Sequence, residues 1–219
     1  MTWFSPGFNR FFKDLAANNN REWFQANKKR YVQDVKEPFE AFVEAIIKEV
    51  AKHDKRVNIT PKEAIFRIHR DIRFSKDKTP YKLNCSALVS AGGRKDMSTP
   101  GMYFELGPEH IRTYGGQYMP DKDALLRIRN KIVKDPGAFR KLYSQERFKE
   151  LFGAIRGEKN KVLPKEFKTV AELEPLMYNK QFYFFSQLPA SKVSDPDLVK
   201  LFMERYSVMR PLNDYLAIP

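Results

Sequence analysis

The spacing of apolar side chains constrains the fold of this chain most, because its period changes along the sequence. Near the start, an apolar residue recurs every three or four positions, which is typical of a helix with one buried face. The residues are Phe39, Phe42, Val43, Ile46 and Val50. The same spacing returns between residues 198 and 209. In the middle of the chain, apolar and polar side chains instead alternate, which is typical of half-buried strands.

The clearest alternation runs from Ile65 to Phe74 and predicts a strand. Its apolar face would carry Phe66, Ile68, Ile72 and Phe74. Arg70 falls on the same face, where an unpaired guanidinium is unfavourable. We therefore expect either a bend before Arg70 or a partner for it.

Further strands are predicted at residues 83–91, 102–106, 110–114 and 182–187, with a hairpin through the turn at Gly107 and an end at Gly115 and Gly116. Helices are predicted at 8–15, from Pro120 onward, at 139–155, and after a cap at Ser194 or Asp195. The result is a single α+β domain with a mostly antiparallel sheet and helices from both ends of the chain. Its segments would be helical 1–60, strand-rich 61–118, helical 119–160, and a last strand with terminal helices in 161–219.

Composition indicates a packed globule. Hydrophobic residues make up 42% of the 219 positions and aromatic residues 14%, which excludes a disordered chain. Cys85 is the single cysteine, so an intrachain disulfide and a cysteine metal cluster are both excluded. We expect Cys85 to be an unreactive core thiol in a protein of a reducing compartment.

The lack of a recognisable targeting signal favours the cytoplasm. The first twenty residues lack the basic start, apolar run and small-residue cleavage site of a secretory signal. The sequence contains no stretch of about 18 apolar residues, so it predicts no membrane span. We therefore predict a cytoplasmic protein without a membrane partner, and the sequence leaves its oligomeric state open.

The net charge of +13 favours anionic partners. The excess is concentrated in residues 127–168, which contain 13 Lys and Arg against 5 Asp and Glu. No run of five like charges occurs, so a flexible basic arm is not expected.

A second concentration of charge lies at Phe66–Lys82, "FRIHRDIRFSKDKTPYK", which we call the basic segment. Such groups can hold phosphate or carboxylate, with arginines as forks and lysines as point charges. The predicted ligand-binding residues are Arg67, Arg70, Arg73, Lys76, Lys78, Tyr81 and Lys82. Asp71 and Asp77 would orient the arginines, or one of them would serve as a general base. The alternative interpretation is a structural ion-pair network in which these aspartates and Glu22 are the partners.

The basic segment, "NNNREWFQANKKRY" (residues 18–31), "PGMYFEL…YGGQYMP" (100–120) and "RPLNDYL" (210–216) together resemble the bacterial and fungal family known as domain of unknown function 2461. The resemblance spans nearly the whole chain. It implies a fold but no assigned activity or cofactor. His69 stands where the family pattern has an asparagine, so we assign no catalytic role to His69.

Familiar catalytic patterns are not found in the sequence. The three histidines lack the spacing of a helical zinc site. There is no phosphate-binding GxxxxGK[ST] loop, no GxGxxG after a strand and no GxSxG elbow. We therefore predict no metal and no cofactor.

Three functions stay open. The first is a binding protein or enzyme for a small phosphorylated or carboxylated ligand, held by the basic segment. The second is a nucleic-acid-binding protein without sequence specificity, which would use the same segment and residues 127–168 as one basic surface. The third is a structural protein in which the basic segment is an ion-pair network. We favour the first because adjacent arginines suit a pocket.

Overall fold

A four-stranded antiparallel sheet forms the centre of the computed structural model, which describes residues 2–96 and 98–217. The strands are β1 (Cys85–Val89), β2 (Met102–Leu106), β3 (His110–Gln117) and β4 (Phe182–Pro189). They lie side by side in the order β1-β2-β3-β4. The predicted α+β single domain is confirmed.

Helices from both ends of the chain accompany the sheet. They are α1 (Pro6–Ala17), α2 (Arg21–Ala26), α3 (Lys28–Tyr31), α4 (Glu37–His53), α5 (Pro61–Ala64), α6 (Lys122–Lys134), α7 (Pro136–Ser144), α8 (Glu146–Phe152), α9 (Lys165–Leu173) and α10 (Leu198–Leu216). A π-helical stretch, Val32–Lys36, joins α3 to α4. Short 3-10 turns cover Gly93–Lys95, Pro175–Tyr178 and Ala190–Ser194. No helix in the described ranges combines the length and apolar character that crossing a membrane requires.

One face of the sheet packs against α4 and α10 because every second strand residue is apolar and buried. Phe104 of β2 packs against Phe42 of α4 and Phe202 of α10, with ring centroids 5.9 and 5.1 Å away. All three rings are fully buried. The aromatic residues at helical spacing therefore form the core, as the periodicity predicts.

The predicted strand at 65–74 is wrong. Only two isolated bridges form there, Ile65 with Ala87 and His69 with Tyr81. The Arg70 N–H donates to the Pro80 carbonyl at 2.9 Å. Pro80 has no N–H with which to return a bond to Arg70, so the ladder stops there. The chain then turns back through charged residues, and Phe74, predicted to be buried, is 96% exposed.

The predicted end of the hairpin at Gly115 and Gly116 is also wrong, since β3 continues to Gln117. Gly116 has φ +88°, and a Cβ there would lie 2.0 Å from the Phe182 carbonyl oxygen. Glycine is therefore required for β4 to pair this closely.

Two helix boundaries differ from the prediction. The helical run at 139–155 divides into α7 and α8, because Gln145 between them has extended backbone. The terminal helix begins at Leu198, because Ser194 belongs to the 3-10 turn Ala190–Ser194 and Asp195 follows that turn with extended backbone.

Candidate functional site

The open face of the sheet forms a cleft of about 590 Å³, which we call the sheet cleft. Strand side chains alternate, so the residues that do not face the helices point into it. The lining residues are Phe66, Lys82, Ser86, Leu88, Thr99, Pro100, Gly101, Tyr103, Glu105, Arg112, Tyr114, Gly115, Gly116, Tyr118, Tyr183 and Phe185.

An aromatic row crosses the sheet cleft. Strand register places Tyr103 opposite Tyr114, and Tyr114 opposite Phe185. Their ring centroids lie 5.4 and 5.3 Å apart, and the Phe66 ring extends the row at 5.8 Å from Tyr103. Such cross-strand aromatic pairs stabilise the sheet and give the cleft an apolar floor.

A polar row lies beside the aromatic one. The register pairs Glu105 with Ser86 on one side and with Arg112 on the other. The Glu105 carboxylate accepts a hydrogen bond from the Tyr114 hydroxyl at 2.9 Å and lies 3.8 Å from an Arg112 guanidinium nitrogen. The His110 imidazole lies 3.4 Å from the same carboxylate. Glu105 is the one carboxylate among the described lining residues.

Three cations border the sheet cleft. The Arg112 guanidinium lies over the Phe185 ring, 5.3 Å from its centroid, and also donates to the Gln187 side-chain oxygen at 2.8 Å. The Arg156 guanidinium lies 4.3 Å from the same centroid. The Lys82 ammonium lies 5.5 Å from the Phe66 centroid. Burial, and secondarily the charge of Arg67, lowers the pKa of Lys82 below its ordinary value.

Tyr103 and Tyr114 of the cleft stay protonated at neutral pH. Burial raises the pKa of Tyr114 to about 12 and raises that of Tyr103 as well. Each hydroxyl is therefore a neutral hydrogen-bond donor. Tyr114 donates to Glu105, which leaves Tyr103 as the donor nearer the Phe66 side of the cleft.

Asn213 of α10 ties one end of the cleft to the helices. Its side-chain oxygen accepts from the Gly116 N–H at 2.7 Å, and its side-chain nitrogen donates to the Gly101 carbonyl at 3.1 Å. Asn213 belongs to the "RPLNDYL" stretch and is buried. It fixes β3 against the start of β2.

Of the predicted ligand-binding residues, Lys82 lines the sheet cleft. Arg67 and Lys76 are exposed outside it. Lys78 donates to the Ile72 carbonyl at 2.9 Å. Tyr81 is buried and stacks on Phe24 with a centroid distance of 4.0 Å.

The two remaining arginines pair with the two aspartates of the same segment. Arg70 donates to the Asp77 carboxylate and the Thr79 hydroxyl, and reaches the Thr79 carbonyl at 3.2 Å. Arg70 thus has a partner, which is one of the two alternatives that the pattern left open. Arg73 forms a fork on Asp71 at 3.0 and 2.7 Å.

Both aspartates of the basic segment stay ionised. The Arg73 side chain lowers the pKa of Asp71 to about 2, and the Thr79 N–H followed by Arg70 lowers that of Asp77 to about 2. A carboxylate with so low a pKa is a poor general base at neutral pH. In the part of the chain that the structure describes, these ion pairs form inside the segment and do not involve Glu22.

Other candidate chemistries have little structural support. Within residues 2–96 and 98–217, no three His, Cys, Asp or Glu side chains lie together as metal ligands would. Cys85 is buried, and burial raises the pKa of its thiol, which agrees with an unreactive core cysteine. A smaller groove of about 360 Å³ between α4 and α10 contains Arg210 and Asp214, whose charges pair at 3.4 Å.

Sequence reasoning missed six residues that line or border the sheet cleft. They are Tyr103, Glu105, Arg112, Tyr114, Arg156 and Phe185. A signal for four of them is present in the hairpin. Polar or aromatic residues occupy positions 103, 105, 112 and 114, and they alternate with residues that face the core. Alternation shows that these side chains leave the core, but it does not show that β4 and Arg156 complete a cleft around them.

The fold and the cleft define the class of protein, a single-domain α+β protein with an antiparallel sheet. The apolar face of the sheet packs on helices, and the other face forms a polar and aromatic cleft. A family model described as "Conserved hypothetical protein (DUF2461)" matches residues 8–215. The chain belongs to this family, and the resemblance of its motifs is confirmed. Neither a curated protein nor a solved structure matches it.

Proposed function

We propose that the protein binds a small anionic ligand in the sheet cleft. The observation that carries this proposal is the placement of three cations along one aromatic row, with Lys82 over Phe66 at one end and Arg112 and Arg156 over Phe185 at the other. The three residues lie far apart in the sequence. Cations brought together by tertiary structure, at the edge of a concave and partly apolar surface, are the usual setting of an anion site.

The size of the cleft suits a small molecule. Its volume of about 590 Å³ lies in the range of roughly 300–1,000 Å³ that is typical of small-ligand sites. The aromatic floor favours a ligand that also has a planar or apolar part. A phosphorylated or carboxylated aromatic compound meets both conditions.

Arg112 is the residue best placed to bind the anion. Gln187 and Glu105 hold its guanidinium from two sides, so little freedom is lost when it binds a ligand. Lys82 adds a partly desolvated charge, and an anion beside it would raise its lowered pKa again.

Glu105 sets the polarity of the cleft. An anionic group is repelled by this carboxylate and is expected at the Phe185 end of the aromatic row, where the guanidinium groups of Arg112 and Arg156 both lie over the ring. A ligand atom beside Glu105 is expected to be a hydrogen-bond donor. Any proton transfer in the cleft would fall to Glu105, since Asp71 and Asp77 lie outside it.

The ion-pair interpretation of the basic segment is supported by a separate observation. Arg70 and Arg73 are already occupied by Asp77 and Asp71. The two proposals are compatible, because the cleft requires only Lys82 from this segment.

A thermal-shift screen tests the cleft. Wild type, Arg112→Gln and Lys82→Met would be compared with phosphorylated metabolites, nucleotides and aromatic carboxylates, because a ligand of the folded state raises its apparent stability. We expect one class to stabilise wild type, and each cleft variant to bind it roughly tenfold to a hundredfold more weakly. Arg73→Ala is the matched control, since it removes a cation outside the cleft. Equal shifts in wild type and Arg112→Gln would overturn the proposal.

A further inference from the structure

A second surface lies at the tip of the basic segment, residues 71–78, and does not depend on the cleft. Phe74 is 96% exposed there. A single exposed apolar residue is ordinary on a protein surface. Phe74 differs because the structure around it is organised and positively charged.

The tip is held from within. Arg70 contacts Asp77 and Thr79 across the base of the tip. Arg73, the residue next to Phe74, pairs with Asp71. Lys78 donates to the Ile72 carbonyl and closes the opposite side. A chain already ordered in this way loses little freedom when its tip binds a partner.

The base of the tip is anchored as well. The Arg70 N–H donates to the Pro80 carbonyl at 2.9 Å, and the Lys82 N–H donates to the Ile68 carbonyl at 2.8 Å. Asn19, which precedes α2, exchanges two hydrogen bonds with the Tyr81 backbone at 2.9 and 3.1 Å. The phenylalanine is therefore presented on a fixed support.

A cation lies beside the exposed ring, and others are close in the sequence. The Arg73 guanidinium lies 5.9 Å from the Phe74 centroid, and Lys76 and Lys78 follow on the same turn. Arg67 is exposed on the arm that leads to the tip. Residues 67–78 contain five basic and two acidic residues, so the charge of the tip and its arm stays positive after both aspartates are paired.

We infer that this tip is a docking site for single-stranded nucleic acid. An exposed aromatic ring can stack on any unpaired base, and lysines beside it can contact the flanking phosphates. Duplex bases are not open to stacking by such a loop. An acidic membrane is a poorer match, because interfacial binding requires a broad apolar face and the tip offers one phenylalanine.

The test is fluorescence anisotropy with labelled oligothymidylate and oligouridylate. Wild type should bind both, and affinity should fall with salt at a log–log slope of about −2 if three phosphates are contacted. Phe74→Ala should weaken binding by about fivefold or more, the effect of one lost stacked base. Lys76→Glu with Lys78→Glu should weaken it further and flatten the slope. Leu173→Ala, at another exposed apolar residue, is the control.

Three results would overturn the inference. One is no binding by wild type at about 50 mM salt, where phosphate contacts are strong. Another is equal binding by Phe74→Ala and Leu173→Ala, or equal binding to duplex, which would reduce the effect to general charge. The third is Phe74-dependent binding to phosphatidylserine vesicles without oligonucleotide binding, which would assign the tip to membranes. None of these alters the small-anion result for the cleft.

Discussion

The tip of the basic segment and the sheet cleft both combine cations, carboxylates and aromatic rings, but they organise them differently. In the tip, Arg70 and Arg73 pair with aspartates a few residues away, and Phe74 remains in solvent. In the cleft, Lys82, Arg112 and Arg156 come from distant parts of the chain, and the rings pack against one another.

This difference teaches that charge density along a sequence is a poor guide to a pocket. A dense segment can satisfy its own charges locally, as the tip does. A cleft needs contacts across several strands, and its charges can be sparse in the sequence. The cleft should therefore be sensitive to changes in packing, and the tip to changes in local pairing.

The largest expected effect comes from Gly116→Ala, which attacks the packing of the cleft. The new Cβ would lie 2.0 Å from the Phe182 carbonyl oxygen at a φ of +88°. We expect the free energy of unfolding to fall by about 3 kcal/mol or more, measured by urea denaturation.

Gly153→Ala is the matched control for this change. Gly153 has φ +72°, but nothing lies within 4 Å of its Cβ position. Strain alone, at φ +72° and ψ −93°, should lower the free energy of unfolding by about 2 kcal/mol, less than strain and a clash together. Equal losses in the two variants would contradict the role assigned to close β3–β4 pairing.

Asn213→Ala should have the next largest effect. It leaves the Gly116 N–H and the Gly101 carbonyl without their partner at a buried position. We expect the free energy of unfolding to fall by about 2 kcal/mol. Asn18→Ala, which removes one exposed bond to the Asp14 carbonyl, is the control and should change it far less. Similar results for both variants would show that Asn213 does not secure the cleft.

Arg70→Ala and Arg73→Ala compare the two pairs inside the tip. The Arg70 side chain is 26% exposed and has several partners, whereas that of Arg73 is 76% exposed and pairs only with Asp71 among the described contacts. We expect Arg70→Ala to lower the free energy of unfolding by about 1 kcal/mol and Arg73→Ala to leave it unchanged. The reverse order would refute our description of the tip.

The smallest expected effect is a pH response confined to the tip. Asp71 and Asp77 have pKa values of about 2 in the folded protein, below the unfolded value of about 4. Their contribution to stability is therefore present above about pH 4 and is lost as the pH falls through about 2. Carboxyl-carbon NMR titration should place both pKa values near 2. Values near 4 would mean that the ion pairs do not persist in solution.

Periodicity predicted much of the fold. The α4 stripe, the hairpin and the last strand follow from local patterns, since each pattern reports which side chains leave water. For Arg70 on an apolar face the pattern left a bend or a partner open, and the structure shows partners. The same reasoning was wrong for Phe74. The alternation continues in the sequence beyond Arg70, but strand pairing stops there because Arg70 pairs with Pro80.

The candidate site was less predictable than the fold. Lys82 belonged to the predicted set, but Arg112 and Arg156 have no local signal that separates them from other surface arginines. Their roles depend on the register that places Arg112 beside Glu105, and on the bridge that fixes Arg156 against Tyr183. Such information is tertiary and is not carried by any short stretch of sequence.

The distance in sequence between β3 and β4 affects how this protein is made. Strands β1 to β3 form a local meander that a growing chain can assemble early, whereas β4 is synthesised only after α6 to α9 have appeared. Until then, the outer edge of β3 is open to pairing with other chains. The cleft lacks one wall during the same interval. The proposed ligand binding should thus begin only after residues 182–189 have left the ribosome, and a ligand added earlier could not assist folding.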